Sequence, residues 1–259
     1  MKTGSFVKIG IGMAVIAFFL SGCHFGGVFK AEFGRSEELS ASLAGIDDLD
    51  VTTNVGEIRL EATEVSEARI LADIKVRAKT EEEARELAEL VRIVAEPSGQ
   101  TLAIKAVKPA HFGRNELCVD FTITAPAGLA LDCTTNVGDI HTAGFTESVK
   151  ARTDVGKIHC TGLRDAVDLH TNVGDIAIAY VPDAPAVLDV RATTNVGAID
   201  FTGPEDISAG LSAYANVGDI ETDRPVLITG SLKKSIKASL GNAEGEIALR
   251  TNVGSIRIR

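Results

Sequence analysis

The chain has 259 residues, enough for one large domain or two small ones, with 45% apolar and 24% charged residues as in an ordinary globular protein. Trp is absent, Tyr occurs twice and Gly 25 times, which suits thin stacked β layers better than a broad α/β core. A formal charge of −10 argues against nucleic acid as a partner and against electrostatic adhesion to anionic lipid.

Lys2 and Lys8 form a basic start, and the apolar run Ile9 to Leu20 is too short to span a bilayer comfortably. Residues 1–22 therefore read as a signal peptide. Leu20-Ser21-Gly22-Cys23 resembles a bacterial lipobox. That resemblance implies diacylglyceryl transfer to the Cys23 sulfur, cleavage after Gly22 and acylation of the new amino group. Two or three acyl chains hold a protein firmly to a lipid bilayer, where one chain does not. His24 after the cysteine resembles outer-membrane sorting if the organism is Gram-negative. Cleavage removes Lys2 and Lys8 and moves the formal charge from −10 to −12. Residues 23–38 have no clear period and read as a lipidated tether.

From there the chain alternates strands and corners. A first Thr53-Asn54-Val55-Gly56-Glu57-Ile58 motif is followed by Ile70, Ala72, Ile74 and Val76 with strand alternation. Thr80-Glu81-Glu82-Glu83 has the form of a capping box, and good helix formers continue from Ala84 to Val91. Glu96 to Gly99 reads as a turn, and strands are expected around Leu102–Val107 and Leu117–Thr124. Residues 39–130 are thus a strand and helix capping section that holds the first repeat.

Residues 131–259 are a repeat array. Thr-Asn-Val-Gly-x-Ile recurs at Thr135–Ile140, Thr171–Ile176, Thr194–Ile199 and Thr251–Ile256, with Asp154 for Asn at Thr153–Ile158 and Ala215 for Thr at Ala215–Ile220. The Asn or Asp positions are Asn54, Asn136, Asp154, Asn172, Asn195, Asn216 and Asn252, with central gaps of 18, 18, 23 and 21 residues and a last gap of 36. A degenerate copy is expected at Ala243 to Ile247, and the register of 226–249, with Lys233, Lys234 and Lys237, is irregular. Before each corner, alternate residues such as Leu131, Cys133 and Thr135 point one way, and the Ile after it points inward again. Each copy is strand, tight corner, strand.

Gly56, Gly138, Gly156, Gly174, Gly197, Gly218 and Gly254 supply the corner geometry, and the Asn side chains are placed to stack as a ladder. Coils would stack at about 4.8 Å. Parallel crossovers favour the right hand. The expected fold is all-β, a right-handed parallel β-solenoid with a small strand–helix–strand section near the N-terminus, whose insertion covers one open end. Arg257 and Arg259 are expected to protect the other end by charging an edge strand.

The lipobox, the early Asn-Val-Gly-Glu-Ile copy, the strand–helix–strand section and the Gly-x-Ile coils together resemble the bacterial putative-adhesin β-strand-repeat proteins, a domain-of-unknown-function family, over about residues 40–259. The resemblance implies a cell-envelope β-helix and carries no catalytic residue to this chain.

Several side chains invite a chemical reading. Asp139, Asp175 and Asp219 recur at one corner position, but Lys157 and Ala198 interrupt them, so an alternating-charge ladder is the simpler account. His141 and His159 occupy equivalent positions one coil apart, without an inward carboxylate or thiolate to complete a metal site. Cys133 and Cys160 point inward and Cys118 outward. Export permits a disulfide between the inward pair, and small buried apolar residues are the simpler reading. No catalytic triad, phosphate loop, metal site or cofactor is expected. The function expected is a non-enzymatic, adhesin-like surface module with an envelope protein or glycan as partner. A glycan-active enzyme and a purely structural spacer are the alternatives.

Overall fold

The structure, a computed structural model, describes residues 31–224, 227–232 and 234–259, with the backbone alone for 227–232. The N-terminal section comprises β1 (Ala31–Ser42), β2 (Asp48–Thr52), β3 (Ile58–Ala62), β4 (Glu67–Ala78), α1 (Glu81–Leu90), β5 (Arg92–Ser98), β6 (Thr101–Val107) and β7 (Glu116–Ala125). Paired strands then follow: β8 (Ala130–Val137) and β9 (Ile140–Ala143), β10 (Val149–Val155) and β11 (Ile158–Leu163), β12 (Val167–Val173) and β13 (Ile176–Tyr180), β14 (Asp189–Val196) and β15 (Ile199–Thr202). The C-terminal part holds β16 (Ala209–Val217), β17 (Ile220–Thr222), β18 (Leu227–Leu232), β19 (Ser235–Leu240), β20 (Gly245–Val253) and β21 (Ile256–Ile258).

Each coil gives one strand to each of two sheets. One sheet runs β1-β4-β7-β3-β9-β11-β13-β15-β21-β17, and the other runs β18-β19-β16-β20-β14-β12-β10-β8-β2-β6-β5. The fold is all-β and solenoid-like, with parallel pairing through its middle. Inward residues meet their equivalents one coil on: Leu131, Val149, Val167 and Val190 in one row, Ile140, Ile158, Ile176 and Ile199 in the facing sheet. All eight are buried, and each Ile contributes about 2 kcal/mol of apolar burial.

The order of coils in space is not their order in the chain. β2 lies between β8 and β6, so the first coil is covered by the later pair β6 and β7. The C-terminal pair β20 and β21 slots between β14 and β16 and between β15 and β17. This corrects the expectation for Arg257 and Arg259: their strand is interior, and Arg257 reaches Glu221 at 3.2 Å and Asp200 at 3.8 Å on its two neighbours. The motif explains why. Thr251 donates to the Gly197 carbonyl at 2.9 Å and Asn252 to Asn195 at 3.0 Å, whereas the other candidate for that place carries Ala215 and has no hydroxyl to offer. The complete corner stacks on the complete corner.

Antiparallel strands finish both ends. β4 pairs with β7 and β1 with β4, β5 pairs with β6, and at the far end β19 pairs with β16 and β18 with β19. Within the irregular 226–249 region, β18 and β19 therefore pair antiparallel rather than forming a coil; Val226 and Lys233 are outside the described residues. Gly245 and Ile247, expected at a degenerate corner, begin β20 instead. The turn before them is made by Gly241 and Ala243 with φ of 53° and 59°. Residues 31–38, expected as tether, belong to β1. Its inward positions Phe33, Arg35, Glu37 and Leu39 mix charge with apolar groups, which hid the period. Arg35 is placed there because it caps a helix: it donates to the Ala88 and Val91 carbonyls at 3.0 and 2.6 Å, at the C-terminal end of α1. At the other end of α1, Thr80 accepts from the Glu83 N–H at 3.2 Å, and Ala84, Leu87 and Ala88 are buried beneath the helix.

Candidate binding surface along the corners

The corner motif lays down parallel rows that run from coil to coil. Innermost are the threonines. Thr135, Thr153, Thr171 and Thr194 are buried, and each donates to the glycine carbonyl of the preceding coil: Gly56 at 3.3 Å, then Gly138, Gly156 and Gly174 at 3.0 Å. A buried carbonyl left unpaired costs about 1–3 kcal/mol, so the hydroxyl ties adjacent coils together. The glycines face the same carbonyls. Gly174 has φ of 153°, and a Cβ on it would lie 1.9 Å from the Gly156 oxygen. Gly56, Gly138, Gly156, Gly197, Gly218 and Gly254 repeat the arrangement.

On the outside, Asn172 donates to Asp154 at 2.9 Å, Asn195 to Asn172 at 3.0 Å, and Asn252 to Asn195. Asn54, Asn136 and Asn216 hold the equivalent corner positions. Beside them runs a row that sequence reasoning missed. Val55, Val137, Val155, Val173, Val196, Val253 and Val217 lie next to one another in that order and are 39–55% exposed. At strand spacing the row is about 29 Å long. The signal was present in the sequence: Val is constant in all seven copies although it follows an outward Asn.

The acids after the glycine have a structural task. Asp139 accepts the N–H of Lys157 at 2.7 Å and Asp175 that of Ala198 at 3.0 Å; Asp120, which follows Val119 where the other acids follow glycine, accepts that of Glu57 at 2.9 Å. Each fills a backbone donor one coil on. Lys157 also lies 3.6 Å from Asp175. The strands on either side carry charges that pair across coils, such as Lys150 with Asp132 at 2.6 Å and Arg152 with Asp168 at 3.7 Å.

His141 and His159 stack one coil apart, with ring centroids 5.8 Å apart and an edge-on angle. Burial and the nearby Arg59 hold the His141 imidazole below its ordinary pKa, against the pull of Glu57 and Asp139. Cys133 and Cys160 are buried free thiols, and Cys118 is half-buried and free. Burial pushes Cys133 well up and Cys160 up to about 11, while burial and Asp120 raise Cys118 to about 11. Tyr180 is buried and donates to the Asp165 carbonyl at 2.9 Å, whereas Tyr214 is exposed beneath the Arg250 guanidinium. Among the described residues no group of three or more His, Cys, Asp or Glu side chains is placed to hold a metal ion. Among them, too, no helix is long and apolar enough to cross a membrane. Cys23 and the signal segment lie outside the described residues.

Two-strand coils stacked on a Thr-Asn-Val-Gly corner define a solenoid-like all-β protein whose outward rows are built by repetition. The family model described as Toastrack DUF4097 matches residues 46–259, and the chain belongs to this family of unknown function. Among solved structures, the chain is similar to a putative cell adhesion protein from Clostridium sporogenes, with 15% identity, a TM-score of 0.48 and coverage of 87% of this chain and 99% of that one. It is also similar to a putative adhesin from Bacteroides fragilis, with 15% identity, a TM-score of 0.42 and coverage of 90% and 99%. No curated protein matches the sequence.

Proposed function

We propose that this protein is an exported envelope lipoprotein, held to the bilayer through acylated Cys23, that acts as a non-enzymatic, adhesin-like binding module. Its partner is another envelope component, protein or glycan, and it docks along the corner row. If the organism is Gram-negative, the membrane is the outer one. The reading includes a right-handed course of the coils, which rests on the general preference of parallel crossovers.

The observation that carries it is the contrast between the rows. The sheet faces are laced with ion pairs, and stripping water from charges is costly. The corner row presents valine beside a ladder that is asparagine at every copy but Asp154, over about 29 Å, so it carries one charge where the sheet faces carry many. Such a surface loses water more cheaply than the sheet faces and offers side-chain amide groups for hydrogen bonds at every copy but that of Asp154. Two of the three recurring acids, Asp139 and Asp175, accept backbone N–H groups of the next coil, which favours a structural role for them over a catalytic one.

The test pairs the acylated protein with a soluble version starting at Phe25 in pull-downs from detergent-solubilised envelope. Each is compared with the double variant Val155→Glu and Val173→Glu. Both valines are half-exposed but face each other across adjacent coils, so the two glutamates repel and the pair should lower the unfolding free energy by about 1–2 kcal/mol, with folding checked by a cooperative thermal transition. A partner held by both forms and lost by the variant supports docking on the corner row. A partner held equally by the variant moves the site elsewhere, and none at all sinks tight binding as the main role. Cys23→Ser should release the protein from the membrane fraction; if it stays there, the anchor is not the acylated cysteine.

A further inference from the structure

The row of corners stops at one coil. β6 and β7 form the coil beyond Thr53–Gly56, yet they are joined by residues 108–115 rather than by a Thr-Asn-Val-Gly corner. Thr53 donates instead to the Val119 carbonyl at 3.3 Å, and Gly56 packs against that same oxygen. The connecting loop is held away from the corner line. Phe112 is buried, and Asn115 donates to Glu83 on α1 at 3.2 Å and to the Phe112 carbonyl at 3.0 Å.

Where the missing corner would sit there is a cavity of about 720 Å³. Thr52, Thr53, Asn54 and Val55 lie on one side, the end of β6 with Lys105, Ala106 and Lys108 on a second, and Leu117, Cys118 and Val119 of β7 on a third. Lys75 and Arg77 of β4 and Glu32 of β1 complete it, with Glu116 and Asn115.

The charges there are unusual for an acidic chain. Lys75 is neutralised by Asp120 at 2.9 Å, and Arg77 by Glu32 at 2.6 Å and Glu116 at 3.7 Å. Lys105 and Lys108 have no carboxylate partner among the described residues; the Lys108 ammonium lies 5.9 Å from the Phe112 ring centroid. With Asp120 cancelling Lys75, and Glu32 and Glu116 together exceeding Arg77 by one charge, Lys105 and Lys108 leave the cavity with a net charge of +1 beside apolar surface of Val55, Ala106 and Leu117. Clefts with low-dielectric walls focus the field of such charges. The volume lies within the range of small-molecule sites, which are mostly apolar with a few placed polar groups.

We propose that this cavity binds an anionic amphiphile, a single hydrocarbon chain bearing a carboxylate or phosphate, with Lys105 and Lys108 on the head group and the β7 wall against the chain. This site adjoins the end of the corner row and shares Asn54 and Val55 with it, but its argument rests on Lys105, Lys108 and the missing corner and stands or falls independently of docking along the row. An uncharged glycan would leave both lysines without a counter-charge, and a free inorganic anion would leave the apolar walls wet.

The soluble version starting at Phe25 retains every strand of both sheets, and its folding is checked by circular dichroism and a cooperative thermal transition. Calorimetric titration with decanoate and decyl phosphate below their micelle concentrations should give saturable, one-to-one binding. Dodecyltrimethylammonium should not bind at that site, and inorganic phosphate should bind at least tenfold more weakly than decyl phosphate. Lys105→Glu with Lys108→Glu should weaken the alkyl anions at least tenfold, whereas the Val155→Glu, Val173→Glu variant should bind them as the parent does. Cys118 lines the cavity and gives a second readout: bound decyl phosphate should slow its alkylation. Equal binding of the cationic amphiphile, binding of phosphate as tight as decyl phosphate, or indifference to the lysine changes would each overturn the proposal. So would the absence of saturable binding in a folded sample.

Discussion

At Gly174 a methyl group would stand 1.9 Å from the Gly156 carbonyl oxygen, and the backbone there has φ of 153°. The clash is with backbone of the neighbouring coil, so no side chain can swing aside. Gly174→Ala should cost about 3–5 kcal/mol, seen as a large fall in the urea midpoint, while Gly99→Ala, with nothing near its Cβ site, should cost much less. The buried thiols give a second residue-scale expectation. Cys160 has its pKa raised from 9.0 to about 11 by burial, so the folded state binds the proton more tightly than the unfolded one. Stability from this group is complete below about pH 9 and is lost as pH rises through about 11. Burial raises Tyr180 as well, in the same direction. Unfolding midpoints should fall on the alkaline side, and Cys160→Ala should flatten part of that fall; an unchanged alkaline slope in the variant would count against the thiol. Thr, Asn and Gly at the corners were legible in the sequence because the same contact with the neighbouring coil recurs at every copy and so repeats the same three residue types. The valines were not, since a constant apolar residue reads as core until its exposure is seen.

A single coil is a stackable element. β8, β10 and β12 share one register, Leu131 with Val149 with Val167, so residues 149–166 can be removed without shifting any inward position. That deletion should leave a shorter protein that folds, with strand-type circular dichroism and a single cooperative transition. Removing residues 245–259 should do far more damage, although it takes fewer residues. Those strands lie between β14 and β16 and between β15 and β17, and their loss opens the stack from within. If the truncated chain unfolded as cooperatively as the parent, the interior placement of β20 and β21 would be wrong. The helix was legible from Thr80 and its three glutamates, whereas β1 was not, because Arg35 sits inward to serve carbonyls more than fifty residues away.

For the molecule as a whole, function depends on which surface is left cheap to dehydrate. The faces of the sheets are lined with ion pairs between coils, the corner row carries a single charge at Asp154, and one end of that row opens into a cavity with two lysines that lack a carboxylate partner among the described residues. The double valine variant and the double lysine variant separate these two surfaces. Each should abolish one interaction and spare the other, and a single variant that removed both would point to loss of structure rather than of a site.

The sequence by itself determined the repeating unit: a strand, a Thr-Asn-Val-Gly corner and a strand, with inward and outward faces set by period-two alternation. It also showed that a helix interrupts the early coils. The tertiary structure alone decided the order in which coils stack, because every coil presents nearly the same edge and local sequence cannot rank them. The choice fell to contacts between residues far apart in the chain, such as Thr251 with Gly197 and Asn252 with Asn195. The cavity arose the same way: the corner missing between β6 and β7 becomes a hollow only when the first coil is packed beneath it and β4 and β1 are paired alongside.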